Sequence, residues 1–348
     1  MWQQLISFQN LWNAWLAASR GKRSTPDVAE FEANLEANLF ALQRALTDGS
    51  YRPGGYRSFL IFDPKRRLVS AAPFIDRVVH HALVRVIEPT FEATFIGDSY
   101  ANRVGKGTHA AVAQAQSWSR QYAYVLQCDL RQFFPSVDHA ELLKVLERKI
   151  PCVRTLALCA QILASGDGVL GNEYAMQYFP DDDLLAITRP RGLPIGNLTS
   201  QFWSNVLLNE LDQLVKRTLH CKAYLRYVDD FLLFSNDKKT LWAWKTAIRE
   251  KLTAMRLSLH EKESTAYPCA NGIGFLGQRI YPTHRRLKTR NARAFEARYR
   301  HWQIEFAEGK LTLEEITLRV RGWVAHAEHA NTVGLRTKIF TKPWKKTP

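Results

Sequence analysis

Three aspartates stand where apolar segments end, and their positions indicate metal chemistry. Asp229 and Asp230 are adjacent and lie between the apolar runs AYLRYV and FLLF, and Asp129 directly follows the apolar segment 122–128. Two neighbouring carboxylates repel each other unless a cation compensates them. Magnesium prefers oxygen ligands, so three acidic residues arriving from two strand ends could hold a pair of such ions. The alternative is that the Asp–Asp pair only forms a turn.

The basic charge of the chain indicates a polyanionic partner. The 348 residues carry a formal net charge of +15, and basic residues are interleaved with aromatic ones in segments 283–302 and 335–348. Such a surface binds nucleic acid by neutralising phosphates, while aromatic rings stack on bases. An anionic membrane suits the charge but not the aromatic interleaving. A solvated cationic surface without a specific partner is the alternative.

Cysteine usage and hydropathy exclude several classes of protein. The five cysteines form no C-x-x-C pair, so neither a disulfide framework nor a zinc site is expected, and the thiols are predicted to be reduced and mostly buried. No segment reaches the roughly 18 consecutive apolar residues of a membrane span, and the N-terminus lacks the order of a signal peptide. The sequence therefore predicts a cytoplasmic protein without a membrane partner.

Short strands and flanking helices are predicted to position the aspartates. Segment 122–128 is a compact strand, and segment 223–234 predicts two short strands that meet at the acidic pair. Asp138 and Glu141 form a capping-box pattern at the start of a helix, and a long helix follows the glycine turn at 192–196. Thr312 and Glu315 form a second such pattern near the C-terminus.

The N-terminal region is predicted to be helical, followed by a hairpin. Its apolar residues recur at helical spacing, at Val28, Phe31, Leu35, Leu39, Leu42 and Leu46. Two apolar runs then flank a basic turn at 63–67, which predicts a hairpin with positive charge at its tip. The next helix is predicted over 77–87 and closed by the Glu88-Pro89 dipeptide.

Five motifs in order resemble those of reverse transcriptases. Residues 227–230 (YVDD) resemble the family's catalytic tetrad, and residues 126–134 (LQCDLRQFF) resemble its first catalytic motif. Residues 192–201 (GLPIGNLTSQ) resemble its template-and-nucleotide motif. Residues 257–262 (LSLHEK) resemble the palm motif that follows, and residues 274–277 (GFLG) resemble the primer grip.

The resemblance, continuous from about residue 51 to residue 277, implies how the aspartates act. Asp129 and Asp229 would bind two magnesium ions, for which manganese could substitute. Asp230 would assist them, and the carbonyl of Leu130 would be a further ligand. One ion would lower the pKa of the primer 3′-hydroxyl, and the other would neutralise charge on the pyrophosphate leaving group.

The resemblance also implies a site for the incoming nucleotide. Phe134, five residues after Asp129, matches the family's steric gate against a ribose 2′-hydroxyl, although Phe133 and Phe134 could instead be core residues. Lys262 matches a proton donor to pyrophosphate, although a lone lysine is usually solvated. The triphosphate would be bound by one or more of Lys65, Arg66 and Arg67. The other implied nucleotide-binding residues are Pro194, Ile195, Gly196 and Gln201.

The fold implied by the resemblance is an α+β fold of the right-hand polymerase type. Residues 1–120 would form the fingers, residues 121–282 a palm of antiparallel strands backed by helices, and residues 283–348 a helical thumb with a basic C-terminus. Part of 140–192 would extend the fingers and palm. Template RNA, primer or cDNA, and deoxynucleoside triphosphates are the implied partners. They would be contacted by the primer grip at Phe275, Leu276 and Gly277 and by the basic residues Arg285, Arg286, Lys288 and Arg290.

Details of these motifs resemble one branch of the family. Most reverse transcriptases place Gln before the second glycine of the turn and end the motif with Ser-Pro, whereas this chain has Ile195 before Gly196 and ends with Ser200 and Gln201. That pattern resembles the enzymes of bacterial and phage diversity-generating retroelements, as do segments 73–83, 98–109 and 322–335. This implies error-prone copying at template adenines and a small basic helical accessory protein as a partner.

Two other functions remain open from the sequence. A reverse transcriptase of another bacterial class, such as a retron, group II intron or antiphage defence enzyme, would be expected to have Gln at position 195. A non-catalytic nucleic-acid-binding relative would be expected to lack one of the three aspartates. An RNA-templated RNA polymerase is disfavoured because Phe134 would obstruct ribonucleotides.

Overall fold

The computed structural model describes residues 1–62, 66–180, 182–342 and residue 344. In these residues nine strands form three antiparallel sheets, in the orders β1-β2, β4-β5-β3-β6 and β7-β8-β9. The strands are β1 (Arg57–Ile61), β2 (Arg67–Ala71), β3 (Tyr124–Cys128), β4 (Tyr224–Tyr227), β5 (Asp230–Ser235), β6 (Thr265–Pro268), β7 (Ile273–Phe275), β8 (Gln278–Ile280) and β9 (Arg285–Leu287).

Fourteen α-helices accompany these strands in the same part of the chain, which confirms the predicted α+β class. They are α1 (Trp2–Leu5), α2 (Phe8–Ser19), α3 (Pro26–Ala33), α4 (Leu35–Asp48), α5 (Phe74–Glu92), α6 (Thr108–Gln121), α7 (Phe133–Ser136), α8 (His139–Glu147), α9 (Val153–Ser165), α10 (Leu198–Gln213), α11 (Lys238–Ala254), α12 (Thr289–Ala307), α13 (Leu313–Ala327) and α14 (Val333–Phe340).

The four-stranded sheet is covered on both faces. Along β5, Phe231 and Leu233 pack with residues of α10 and α11 on one face, whereas Leu232 and Phe234 pack with residues of α6, β7 and β8 on the other. Burying one such side chain contributes roughly 1.5–3 kcal/mol. Because both faces are buried, the strand sequence is a continuous apolar run rather than an alternating one. This sheet is therefore enclosed between two hydrophobic clusters.

The N-terminal helices differ in detail from the prediction. The apolar residues between Val28 and Leu46 belong to two helices, α3 and α4, which are separated at Asn34. The predicted end of the next helix at Glu88-Pro89 is wrong, because α5 continues to Glu92 and contains Pro89. Since the proline lies in the last turn of α5, its missing N–H group disrupts little helix beyond it.

Segment 152–191, where the apolar pattern is weak, contains a helix that was not predicted. Helix α9 packs one face into the main core through Leu158, Cys159, Ile162 and Leu163. Helix α8 begins as predicted at Asp138, whose carboxylate accepts hydrogen bonds from the N–H groups of Ala140 and Glu141. The reciprocal bond of a capping box is not made there, because the carboxylate of Glu141 pairs with Lys144.

The last three helices form a small bundle with an aromatic core. Phe295 of α12 is buried and stacks on Trp323 of α13, with ring centroids 3.7 Å apart. Helix α13 begins with the predicted capping box between Thr312 and Glu315. Within the described ranges, every helix is too short or too polar to cross a membrane.

Candidate active site

Two strands bring Asp129 and Asp230 to the same edge of the central sheet. The last residue pair between β3 and β5 joins Cys128 to Phe231. Asp129 directly follows Cys128, and Asp230 directly precedes Phe231. Because opposed residues of antiparallel strands lie about 4.5–5.5 Å apart, the two aspartates are backbone neighbours.

Asp229 lies in the tight turn between β4 and β5. Tyr227 pairs with Asp230, so Val228 and Asp229 alone connect the strands. Val228 has a φ of 56°, in the left-handed region. A β-branched residue is disfavoured in that region, so its surroundings must hold the turn in this conformation.

The three aspartates supply carboxylate oxygens at and beside this edge of the sheet. Throughout the part of the chain that the structure describes, no three Asp, Glu, His or Cys side chains are arranged to hold a metal ion by themselves. Magnesium in phosphoryl-transfer sites is commonly bound by one or two carboxylates, and substrate phosphates and water complete its ligands. The acidic oxygen donors at this edge therefore fit a divalent ion that binds together with the substrate.

The backbone bridge that follows β3 does not involve the carbonyl of Leu130. The N–H group of His260 donates to the carbonyl of Asp129 at 2.8 Å, and the N–H group of Arg131 donates to the carbonyl of Ser258 at 2.9 Å. These two bonds form the bridge between residues 130 and 259 without using the carbonyl of Leu130. The Leu130 carbonyl, predicted as a metal ligand, is therefore not engaged by this bridge.

The thiol beside Asp129 is buried and holds its proton. Cys128 is fully buried, and burial raises its pKa to about 12. The group is consequently a neutral thiol at physiological pH, whereas a metal ligand must be a thiolate. Four of the five cysteines are buried, as predicted.

The two phenylalanines after Asp129 lie in different environments. Phe133 is 2% exposed and belongs to the main core, whereas Phe134 is half-buried. Their rings meet edge to face with centroids 5.3 Å apart. The carbonyl of Phe134 accepts a hydrogen bond of 2.8 Å from the N–H group of Leu193 in the glycine turn. Phe133 is therefore the core residue of the pair, and Phe134 has the partly exposed ring.

Asn197 joins the glycine turn to the β1–β2 hairpin. Its side-chain amide donates to the carbonyls of Ser70 at 2.8 Å and Pro194 at 3.0 Å. Its Oδ1 atom accepts from the N–H group of Ala72 at 3.2 Å. The N–H group of Ser70 in turn donates to the carbonyl of Ile195 at 2.8 Å. Asn197 was not predicted, and its only sequence signal is a polar residue within the template-and-nucleotide motif.

The close approach of the turn to β2 explains its second glycine. Gly196 has a φ of 113°, and a Cβ atom there would lie 2.9 Å from Cγ1 of Val69. Ile195 is half-buried but is not one of the apolar residues packed on the core. Pro194 is buried, and Gln201 is half-buried in the first turn of α10.

The basic hairpin tip is linked to the catalytic motif through an acidic residue. Lys65 lies outside the described residues, and Arg66 and Arg67 are exposed. Arg66 pairs with Glu173 at 2.9 Å. The backbone carbonyl of Glu173 also accepts a hydrogen bond of 2.8 Å from Nε2 of Gln132, just before Phe133. Sequence reasoning missed Glu173, which lies in a segment without a clear pattern.

The predicted primer grip is a second tight hairpin turn. Phe275 of β7 pairs with Gln278 of β8, so Leu276 and Gly277 form the turn, with φ values of 45° and 82°. Positive φ at both central residues is typical of a hairpin turn that matches the strand twist. The carbonyl of Gly277 accepts from the N–H group of Lys288 at 3.1 Å, which connects this turn to the start of α12.

The predicted nucleic-acid-binding residues differ in exposure. Arg285 is half-buried, and its Nε donates to Oε1 of Gln116 in α6 at 2.6 Å. Burial lowers the pKa of the Arg285 guanidinium. Arg285 therefore contributes a contact between β9 and α6, and reversing its charge would disturb that contact. The other residues predicted to bind nucleic acid are exposed, namely Arg286, Lys288 and Arg290. Lys262 is exposed as well.

Comparison with known proteins identifies relatives of the region that contains this site. The family profile described as reverse transcriptase (RNA-dependent DNA polymerase) matches residues 62–280. Protein YkfC of Escherichia coli K12 is 26% identical over 244 residues, which cover 68% of this chain and 57% of YkfC. Group II intron-encoded protein LtrA of Lactococcus lactis subsp. cremoris is 24% identical over 214 residues, which cover 60% of this chain and 33% of LtrA. A solved structure of apo telomerase from Candida Tropicalis, truncated from the C-terminal domain, has a TM-score of 0.49 and 12% identity, covering 70% of this chain and 59% of the telomerase chain.

Proposed function

Since this chain belongs to the reverse transcriptase family, we propose that it is an RNA-directed DNA polymerase with Asp129, Asp229 and Asp230 as its catalytic carboxylates. The observation that carries the proposal is that β3 and the β4–β5 turn present these residues at one sheet edge, inside the matched region. A non-catalytic relative would be expected to lack one of them.

The proposed reaction is attack of a primer 3′-hydroxyl on the α-phosphate of a deoxynucleoside triphosphate, with pyrophosphate leaving. Reverse transcriptases use divalent metal ions, and we assign Asp129 and Asp229 as shared ligands, with Asp230 and the Leu130 carbonyl assisting. When bound, two such ions lower the pKa of the hydroxyl and neutralise charge on the leaving group. Magnesium is the proposed ion, and manganese is expected to substitute. The sheet supplies the accurate positioning of the ligands that this chemistry needs.

The incoming nucleotide would lie between the basic hairpin and the catalytic edge. Arg66 and Arg67 would bind the triphosphate, and Arg66 would exchange the carboxylate of Glu173 for phosphate oxygens. An exposed ion pair of this kind contributes only about 0–1 kcal/mol, so phosphates can displace it readily. The ring of Phe134, which is half-buried, would exclude a ribose 2′-hydroxyl. Further contacts are proposed for Lys65, Pro194, Ile195, Gly196, Gln201 and Lys262.

The template and primer would lie along the basic C-terminal part of the chain. The Leu276–Gly277 turn, with Phe275 anchored in the core beneath it, would grip the primer end. Exposed basic residues beyond that turn would bind the phosphate backbone with an affinity that falls as salt rises. In this assignment residues 1–120 are the fingers, residues 121–282 the palm and residues 283–348 the thumb.

The finer proposal is a diversity-generating retroelement enzyme that makes error-containing cDNA from a template RNA. It is supported by Ile195 and the closing Ser200 and Gln201 of the nucleotide motif. In that case we expect misincorporation at template adenines and an accessory protein that is small, basic and helical. Sequencing the DNA beside the gene tests this proposal, because a pair of near-repeats differing at adenines is expected there.

A group II intron-type reverse transcriptase is the second candidate function. The similarity to LtrA, a group II intron-encoded protein, favours it. Intron sequence flanking the gene, without an adenine-variable repeat, would support this candidate and contradict the retroelement proposal.

Substitution of one metal ligand tests the polymerase assignment. Asp229→Asn should reduce primer extension on a poly-rA template to below a few per cent of the parent rate, because metal-assisted charge stabilisation is lost. RNA affinity should stay within about twofold, since the basic surface is unchanged. The matched control is Asp48→Asn, which alters an exposed aspartate at the end of α4. Substantial extension by Asp229→Asn, or equal loss in both variants, would contradict the assignment.

A further inference from the structure

An arginine is fully buried directly before the catalytic turn. Arg226 of β4 is 0% exposed, and so is Asp212 of α10. A buried guanidinium is costly unless its charge is paired and its N–H groups are bonded. Nε and Nη2 of Arg226 donate to the two carboxylate oxygens of Asp212 at 2.8 and 2.7 Å. This bidentate pair compensates the buried charge.

The remaining donors of Arg226 reach three other residues. Nη2 donates to Oγ of Ser99 at 3.2 Å. Nη1 donates to Oδ1 of Asn205 in α10 at 3.0 Å and to the backbone carbonyl of Val228 at 3.1 Å. A guanidinium has five N–H groups, and these bonds match that number. The side chain is thus held from several directions and reaches the catalytic turn with one of its donors.

The carbonyl that Arg226 binds belongs to the strained residue of the turn. Val228 has a positive φ, and its carbonyl is part of the peptide group that leads into Asp229. A hydrogen bond to that carbonyl fixes the plane of the peptide group. The orientation of this plane in turn sets the direction of the Cα–Cβ bond of Asp229. A charged donor makes this bond stronger than an ordinary amide bond.

Residues 98–100, which cover the edge of β4, are also bonded to Arg226. The N–H group of Arg226 donates to the carbonyl of Asp98 at 3.0 Å, and its carbonyl accepts from the N–H group of Tyr100 at 2.9 Å. β4 is an edge strand, so these bonds cover its otherwise unpaired side. Segment 98–109, which carries part of the resemblance in the sequence, thereby supports the catalytic turn from outside the sheet.

We infer that Arg226 is a positioning residue that holds the turn carrying Asp229 in its strained conformation. The inference rests on the proposed function, because it concerns the placement of a catalytic carboxylate. Asp212 and Asn205 orient the guanidinium from α10, and the guanidinium transmits that orientation to the carbonyl of Val228. The contribution is to the rate of the chemical step rather than to the binding of nucleotide or nucleic acid.

Arg226→Lys tests this role, with Arg77→Lys as its matched control. Lysine keeps the charge beside Asp212 but cannot reproduce the planar set of donors. Arg77 of α5 is half-buried and pairs with Asp27 of α3, so this ion pair joins two N-terminal helices rather than segments 98–109 and 226–230. Both variants should lose thermal stability. Only Arg226→Lys should also lower kcat, by about 10- to 100-fold, because a displacement of about 1 Å costs about 100-fold in rate.

Two measurements separate positioning from a general structural role. In Arg226→Lys, the KM for the nucleotide and the Kd for primer–template should remain within about twofold of the parent values. Amide hydrogen exchange of residues 227–231 should accelerate, while exchange of the second hairpin turn at 275–278 should not change. Asn205→Ala removes the acceptor that Nη1 of Arg226 bonds beside the Val228 carbonyl, together with the amide bond of Asn205 to the carbonyl of Ala101. It should lower kcat by about fivefold and keeps the test available if Arg226→Lys does not fold.

The outcomes separate this inference from the proposed function. If Arg226→Lys and Arg77→Lys lower kcat alike, or if exchange at 227–231 is unchanged in a folded Arg226→Lys protein, Arg226 does not position the turn. Unchanged kcat in Asn205→Ala would also contradict the inference. If the parent protein has no polymerase activity, the proposed function fails instead, and accelerated exchange confined to the turn would still support positioning of the turn.

Discussion

Two hairpins of this molecule carry opposite charges at their tips and differ in burial. Phe231 of β5 is 0% exposed, whereas Phe59 of β1 is 48% exposed. The acidic hairpin β4–β5 is covered on both faces, while all five residues of β1 are exposed. The basic hairpin is tied to the glycine turn mainly through hydrogen bonds of Ser70 and Ala72. Two of the residues proposed to hold metal, Asp229 and Asp230, thus stand on the more firmly packed hairpin.

The difference in burial between the two hairpins follows from how metal-assisted catalysis and charge attraction depend on distance. Displacing a reacting group by about 1 Å can cost about 100-fold in rate, so catalytic carboxylates need a packed support. Attraction between an arginine and a triphosphate changes gradually with distance and tolerates a less restrained support. A buried hairpin for the acidic residues and an exposed hairpin for the basic residues satisfy both requirements.

Matched Phe→Ala substitutions in the two hairpins should give the largest contrast. Phe231→Ala should lower the free energy of unfolding by about 3–5 kcal/mol, because it leaves a cavity in the core. Phe59→Ala, on the exposed strand, should change it by no more than about 0.5 kcal/mol. Urea unfolding followed by circular dichroism measures both values. Similar losses in the two variants would show that β1 is packed as firmly as β5.

Phe133 and Phe134 provide a similar contrast between a buried and a more exposed side chain, here within one motif. Phe134→Val should admit ribonucleotides, with discrimination between deoxynucleotides and ribonucleotides falling on the order of 10- to 200-fold, because the ring no longer fills the space of a 2′-hydroxyl. Phe133→Val should instead lower stability and leave discrimination unchanged, since Phe133 belongs to the core. Single-nucleotide incorporation with paired dNTP and rNTP substrates measures the ratio. If Phe134→Val discriminates between dNTP and rNTP as strongly as the parent protein, Phe134 is not the steric gate.

The sequence predicted the strands that are buried on both faces, because burial on both faces gives a continuous apolar run that is easy to recognise. β3 and the β4–β5 hairpin are continuous apolar runs that end in aspartates, so their positions followed from the residues alone. Helix α9 was missed because the surrounding segment is irregular, and the break at Asn34 interrupts an otherwise regular helical spacing.

Contacts between distant segments were not predictable in the same way. Arg226 and Asp212 belong to different elements, and an arginine inside an apolar strand does not reveal its partner. Arg66 and Glu173 meet only because the hairpin tip folds toward a segment without periodicity. The sequence therefore identified the proposed catalytic carboxylates but not the residues that hold the motifs around them.

The smallest expected effect concerns Ile195, which lies where the glycine turn meets the basic hairpin. Its carbonyl is fixed by the N–H group of Ser70, and its side chain is half-buried without packing on the core. In the common family pattern a Gln at this position can hydrogen-bond the incoming nucleotide, so that only a well-shaped base pair aligns for attack. Isoleucine offers no such bond, so a mismatched nucleotide loses less relative to a correct one.

We therefore expect Ile195→Gln to raise the ratio of correct to incorrect incorporation opposite template adenine by about fivefold, since one net hydrogen bond contributes about 1 kcal/mol. Ile195→Met is the matched control, because methionine has nearly the shape of glutamine but lacks the amide, and it should leave the ratio unchanged. Single-nucleotide incorporation opposite adenine and opposite cytosine measures both variants.

A lower overall rate with an unchanged ratio in Ile195→Gln would mean that Ile195 only packs the turn. A similar gain in Ile195→Met would assign the effect to side-chain shape. An effect of about fivefold is too small to account for pervasive errors at adenines, so other residues of the nucleotide site must contribute to the low fidelity proposed for this enzyme.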